Sequence, residues 1–364
     1  MTDPYLVALA NCPVFGSRSL EKLFEKFSTA EAIWTAPEPD FLGLDLPESR
    51  LAGFFTFRKA AKIDAYTKEM GQHKIRLISK NDAEYPSLLK TIYDPPFVLF
   101  LRGAALREPA VAIVGSRKAT DYGKKIATSF AKTLAQRGVS IVSGLAEGID
   151  TCAYQGALDG SGHTVAILGG GLLQKSSREK EAAAQEILAK NGTVLSEFSL
   201  HSSFASFHFP MRNRIIAGMS RFSIIVEAAL PSGSLITAKA ALDAGREVFA
   251  VPGPIDSPTS NGTNNLIKDG AFVATSADDI LLGLDITTTR QTATNTSPVM
   301  PARILPPLDP LPTAIYTHLE KGALFADQLV IKTVSSPAEV SRSLLELELL
   351  GLVRSLGGTR YERT

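Results

Sequence analysis

The chain has 364 residues, 45% hydrophobic and 21% charged, with a formal net charge of +1. That size and composition predict two or three globular domains with a substantial core and exclude a disordered majority. Near-neutral charge excludes a global cationic field, so any affinity for nucleic acid must come from a local patch.

Only Cys12 and Cys152 are present, which gives neither a disulfide framework nor a thiolate metal spacing. The first residues lack the basic start and long apolar core of a secretory signal, and no apolar run approaches the roughly 18 residues of a membrane span. A soluble cytoplasmic protein without membrane contact is expected. The histidines are scattered, and His201 and His208 have no partner at ligand spacing, so neither a metal nor another cofactor is expected.

Residues 1–80 read as a mostly helical domain. Leu20, Leu23, Phe24 and Phe27 fall at three- and four-residue intervals, and Ala30, Ile33 and Trp34 continue a stripe after a Ser28-Thr29 cap signal. The segment CPVFGSRSLEKLFEKFSTAEAIW resembles a helix-hairpin-helix of the sterile-alpha-motif-like sort. Val14 stands where the first hairpin glycine would be, and its Cβ obstructs an amide–phosphate contact. A packing or partner-binding role is therefore expected there.

Residues 81–284 form the main domain. Pro86, Pro95 and Pro96 punctuate its entry, and Val98 to Leu101 read as a short strand. From Ala110 onward strands and helices alternate, with strands expected at 110–114, 139–142, 164–168, 193–196, 222–226, 247–251 and 271–274. This order predicts an α/β fold with a doubly wound parallel sheet.

Ligands bind such a sheet at the carboxyl ends of its strands, and here those ends are rich in small and polar residues. Gly115-Ser116-Arg117 follows the first strand, joining a tight turn to a helix start that offers amides, a dipole and a guanidinium to an anion. Ser143-Gly144 follows the second strand, Gly169-Gly170-Gly171 the third, and Ser232-Gly233-Ser234 lies beyond the strand at 222–226. Together they predict a phosphate-binding rim. The run Phe207 to Arg214, expected just before a helix at 215–219, adds aromatics, Arg212, Asn213 and Arg214, a set suited to single-stranded nucleic acid. Equally, its aromatics can be core and its arginines ion-paired.

Glu147, Asp150, Glu197 and Glu227 lie near the same strand ends and can serve as bases, magnesium ligands, helix caps or arginine partners. No P-loop or paired-aspartate nuclease pattern accompanies them, so neither ATP hydrolysis nor phosphodiester cleavage is supported. Residues 285–312, rich in threonine and proline, read as a linker. Residues 313–364 show three helices and a terminal hairpin, the order of a winged helix. Its third helix carries Glu339, Glu346 and Glu348 against Arg342, which argues against insertion into a DNA groove.

Taken together, YPSLLKTIYDPPFVLFLRG, VAIVGSRKATDYG, SGLAEGIDTCAYQGAL, TVAILGGGL, SEFSL, FPMRNRIIAGMS, VEAALPSGSLITAKAALDAGREVFAVPGPI and GTNNLIKDGA resemble the DNA-processing protein A family, DprA/Smf, over nearly all of 85–271. The resemblance implies an extended Rossmann-like core that binds single-stranded DNA without hydrolysing it, forms homodimers and helps load RecA recombinase during natural transformation. It also implies that Gly115, Ser116, Arg117, Ser143, Gly144, Gly169 to Gly171, Phe207, Arg212, Asn213, Arg214, Ser232, Gly233 and Ser234 line the strand, and that Lys175 can meet phosphate. One stretch departs from the family: after GGGL it usually has an acidic residue and a Tyr-Pro step, whereas this chain has Leu173-Gln174-Lys175-Ser176-Ser177-Arg178. Two rivals remain. One is a nucleoside-monophosphate phosphoribohydrolase, whose PGGxGTxxE signature would put its glutamate at Lys239; the other is a nucleotide-binding adaptor.

Overall fold

The computed structural model describes residues 3–284, 309–319, 324–333, 335–350, 352–355 and 360–363. They fall in two compact units, Met1–Thr289 and Arg290–Thr364.

The first unit begins with five helices: α1 (Pro4–Ala10), α2 (Ser17–Lys26), α3 (Ala30–Thr35), α4 (Glu48–Ala60) and α5 (Ile63–Gln72). Asp3 caps α1 by accepting the Tyr5 amide, and Thr29 caps α3 by accepting that of Ala32. Val14 packs on Gly53, where a Cβ would lie 2.9 Å from the valine. The residue that obstructs a phosphate hairpin is thus part of the helical core.

The helical layer is fastened to the sheet. β1 (Ile75–Ser79) pairs antiparallel with β2 (Val98–Gly103) and so extends the main sheet. Asn11 accepts the Leu200 amide at 3.0 Å, and the Ser17 hydroxyl donates to Glu197 at 2.7 Å while accepting the Phe97 amide.

The remaining elements of this unit are β3 (Ala110–Val114), α6 (Asp121–Gln136), β4 (Ser140–Ser143), α7 (Ile149–Asp159), β5 (Thr164–Ile167), α8 (Arg178–Ala189), β6 (Thr193–Ser196), α9 (His208–Gly218), β7 (Phe222–Ile225), α10 (Gly233–Asp243), β8 (Glu247–Ala250), α11 (Asn261–Lys268), β9 (Phe272–Val273) and α12 (Ala277–Gly283). The strands form one sheet in the order β1-β2-β6-β5-β4-β3-β7-β8-β9. All neighbours are parallel except β1–β2 and β2–β6, so the expected parallel sheet carries an antiparallel edge.

Both faces of the central strands are covered. Along β3, Val111 and Ile113 join the core beneath α6, α7 and α12, while Ala110, Ala112 and Val114 join the one beneath α9 and α10. The α9 helix starts earlier than 215. Pro210 is the third residue of the helix, where a missing N–H costs nothing, so the arginines lie within α9 and not ahead of it.

In the second unit, α13 (Pro310–His318), β10 (Leu324–Phe325), α14 (Ala326–Thr333), α15 (Pro337–Leu349), β11 (Val353–Ser355) and β12 (Arg360–Arg363) form a winged helix. Its antiparallel sheet has the order β10-β12-β11, over a core that includes Ile315, Leu329, Leu344 and Leu347. Residues 285–308 of the expected linker lie outside the described residues. The helix begins at Pro310 because proline is tolerated in a first turn, so the prolines at the end of that stretch start an element. Glu339, Arg342, Glu346 and Glu348 are exposed along α15.

Candidate nucleic-acid interface

The chain leaves β3 toward β4 and leaves β7 toward β8, on opposite sides, so the switch point of the sheet lies between β3 and β7. A cleft of about 560 Å³ opens there, walled by the turn after β3, the start of α9 and the start of α10.

The turn after β3 is set by packing. At Gly115 a Cβ would lie 2.6 Å from Ile149, so glycine lets α7 close against the turn. Glu227, buried at the end of β7, accepts from the Thr120 amide at 2.9 Å and the Thr120 hydroxyl at 2.6 Å. That carboxylate anchors the start of α6 and is not an open base.

Arg117 projects from this turn, exposed, and makes no ion pair among the described residues. Its guanidinium lies 5.5 Å from the ring centre of Phe209, which also lines the cleft. A cation over an aromatic face, with no acid to neutralise it, leaves its charge available to an anion.

The neighbouring arginines are committed elsewhere. Arg212 is 5% exposed and donates to the carbonyls of Gly144, at 2.6 Å, and Ile167, tying together the ends of β4 and β5. Asp150, also buried, accepts the amides of Gly144 and Ala146. Burial pushes the Asp150 carboxyl upward, opposed by Arg212 and those amides. Burial lowers the Arg212 guanidinium to about 10, with Asp150 opposing and Arg117 adding to the fall. It stays protonated at neutral pH and braces the rim from below.

Asn213 donates to the Gly233 carbonyl at 3.3 Å, which ties α9 to α10. Arg214 donates to Glu197 at 2.6 Å and lies 3.6 Å from Asp94. Of the two readings the sequence leaves open for this run, phosphate forks or paired arginines, the structure shows Arg212, Asn213 and Arg214 all held by partners within the protein.

The third turn differs from the first. A Cβ at Gly169 would lie 3.0 Å from the Phe209 ring and one at Gly170 2.8 Å from the Phe204 ring, while one at Gly171 would collide with the Ser199 and Leu200 carbonyls. The Gly171 amide already donates to the Ser202 carbonyl. These glycines seat neighbours, two of them aromatic.

The structure brings Gly115, Ser116, Arg117, Arg212, Asn213, Ser232, Gly233 and Ser234 to the cleft. Gly144, Gly169 and Lys175 line an adjoining cavity that shares Phe209 with it. Ser143 is buried and donates to the Ile113 carbonyl; Phe207, 65% exposed, lines neither space. Phe209 is the residue that counting from the sequence passed over. Two positions apart on a helix are nearly opposite faces, and only the helix start at His208 shows which one faces the cleft.

Glu147 and Lys239 are exposed. Among the described residues no three His, Cys, Asp or Glu side chains converge in a way that could hold a metal ion, and no helix is long and apolar enough to cross a membrane.

A Rossmann-like sheet, with a switch-point cleft that gathers an exposed arginine, a helix N-terminus and an aromatic ring, is joined here to a winged helix. The family model of DNA recombination-mediator protein A matches residues 76–285, and that of the DprA winged helix domain matches residues 299–359. Protein Smf of Escherichia coli is 38% identical over 276 residues, covering 73% of each chain. DNA processing protein DprA of Bacillus subtilis is 40% identical over 62% of this chain and 75% of its own. Among solved structures, DprA of Streptococcus pneumoniae superposes with a TM-score of 0.65 at 33% identity, over 77% of this chain and 98% of its own. DNA processing protein A of Helicobacter pylori, whose structure addresses its single-stranded DNA binding mode, gives 0.52 at 29% identity over 58% and 95%. The chain belongs to the DprA/Smf family, that of DNA recombination-mediator protein A.

Proposed function

We propose that this protein binds single-stranded DNA along the switch-point cleft without hydrolysing it, and protects the incoming strand in the cytoplasm. The observation that carries this reading is the exposed, acid-free Arg117 stacked on Phe209 beside the start of α10. Arg117 and the Ser116 turn meet phosphate, Ser232 to Ser234 offer the positive end of α10, and Phe209 gives a base its stacking face. Sequence is not read, because phosphate and ring contacts are common to every strand. The relative from Helicobacter pylori supports the ligand class.

Two further elements rest on family membership: a second protomer that lengthens the groove, and transfer of the strand to RecA recombinase in natural transformation. A salt-sensitive grip suits such a transfer, since it releases easily. A purely binding role is supported by Lys239, a cation where a phosphoribohydrolase would carry its glutamate.

Fluorescence anisotropy of a labelled oligothymidylate tests the cleft. Arg117→Ala should weaken binding about tenfold and flatten its salt dependence. Its melting temperature should be unchanged, because the side chain is exposed. Affinity indifferent to both Arg117 and salt would overturn the reading.

A further inference from the structure

The α9 helix has two working faces. Phe209, Arg212, Asn213 and Ile216, three or four residues apart, line the cleft, whereas His208, Met211 and Arg214 line a separate space of about 320 Å³ against the helical layer. Among the described residues, none before Val114 lines the cleft, so the five helices do not reach it.

The outer face of α9 is held by the two residues that follow β6. Glu197, its side chain 10% exposed, accepts from Arg214 at 2.6 Å, and the Phe198 ring stacks on His208 with centres 4.0 Å apart. Arg212 and Asn213 fix the inner face further along. The first turn, which carries Phe209, has no side-chain cap and is steadied by the Phe198 stack.

Glu197 also reaches the helical layer. The same carboxylate oxygen that accepts from Arg214 accepts from the Ser17 hydroxyl of α2 at 2.7 Å. The other oxygen, Oε2, and the Arg214 Nη1 are both buried and without a hydrogen-bond partner among the described residues. A carboxylate and a guanidinium this close often pair through both arms of each fork. Here one oxygen serves both helices and two buried groups stay unsatisfied, so α9 does not sit where the ion pair alone would draw it.

We propose that Glu197 is a positioning residue for strand binding: by tying α9 to Ser17 it sets where the first turn carries Phe209, and through it the helical layer acts on a cleft it does not touch. The inference rests on the reading of the cleft as the strand site. Glu197 itself lines the space on the other side of the helix and makes no contact with the strand.

The test uses the full chain and labelled oligothymidylate. Glu197→Gln and Ser17→Ala, each alone and combined with Phe209→Leu, are compared with Phe209→Leu and Arg117→Ala, and each variant is melted first to confirm that it is folded at the assay temperature. Removing an acid makes the protein more cationic, so electrostatics alone predicts that Glu197→Gln binds a polyanion more tightly. Positioning predicts the opposite sign, with binding about fivefold weaker because a base stacks less fully on Phe209. The salt slope should match the parent's, since the phosphate contacts are kept, and in the Phe209→Leu background Glu197→Gln should cost nothing more. Ser17→Ala changes no charge and should weaken binding about twofold with the same dependence on Phe209, which carries the test if Glu197→Gln fails to fold.

Affinity equal to or above the parent's in both substitutions, a flattened salt slope, or an equal loss with and without Phe209 overturns the positioning role while Arg117→Ala still marks the cleft. If Arg117→Ala and Phe209→Leu both bind like the parent, the cleft reading falls and this inference falls with it.

Discussion

Two glycine-rich turns on one rim do different work. The turn after β3 keeps Gly115 bare so that Ile149 can approach from within, and its outer side faces an open cleft from which Arg117 projects. The turn after β5 is closed from without: Gly169 seats Phe209, Gly170 seats Phe204, and Gly171 fits beneath the Ser199 and Leu200 carbonyls. The absence of a Cβ serves approach in both turns, by a helix in one case and by aromatic rings and a loop in the other. Glycine density on a rim therefore measures how closely things pack there. The charge that no acid neutralises shows where a ligand goes.

The sharpest way to break this comparison is at Arg212, which lies under the cleft and ties the end of β4 to that of β5 by holding Gly144 and Ile167. Arg212→Met leaves Asp150 buried without its counter-charge and should destabilise the fold by about 3–5 kcal/mol in urea denaturation at neutral pH. Adding Asp150→Asn should recover part of that loss. A double variant no better than the single one would mean the arginine acts by packing alone.

Next comes Gly171→Ala, whose methyl group has two backbone carbonyls in its way and should cost about 3 kcal/mol. Its counterpart is Gly233→Ala at the start of α10, where a Cβ meets nothing within 4 Å and stability should stay within about 0.5 kcal/mol. Calorimetric melting of the pair reads the contrast directly; equal shifts would erase it.

The amino ends of the same strands offer a comparison of a third kind. His163 is buried between the Ser140 and Thr193 hydroxyls, and burial, with help from Arg107, lowers its imidazole to about 4. The unfolded chain binds the proton near the ordinary 6.5, so between those values it holds more protons than the folded one. Stability is full above about 6.5 and falls as pH drops toward 4, by at most about 3 kcal/mol. His163→Gln should flatten that slope in pH-dependent denaturation, while Arg117→Ala should leave it as it is.

Most of the sheet is legible in the sequence because its strands are short apolar runs closed by glycine, as at β3, β4 and β5. The antiparallel edge is not. β1 follows five helices and its Arg76 breaks the apolar run, so only pairing with β2 reveals it. The start of α9 is hidden for another reason: proline reads as a stop, yet in a first turn it is harmless. At the site, Arg117 could be found from its turn. Arg212 and Arg214 could not be told from it, since an exposed guanidinium and a buried one are spelled alike until Gly144, Ile167 and Glu197 come into place around them.

The fastening of the helical layer bears on how this gene can be rearranged. A recombination breakpoint near codon 80 looks safe in the sequence, between a helical half and an α/β half. It would remove β1 from the sheet, leave the β2 edge without its partner, and strip Glu197 of Ser17 and Leu200 of Asn11. Exchange by shuffling is therefore costly there.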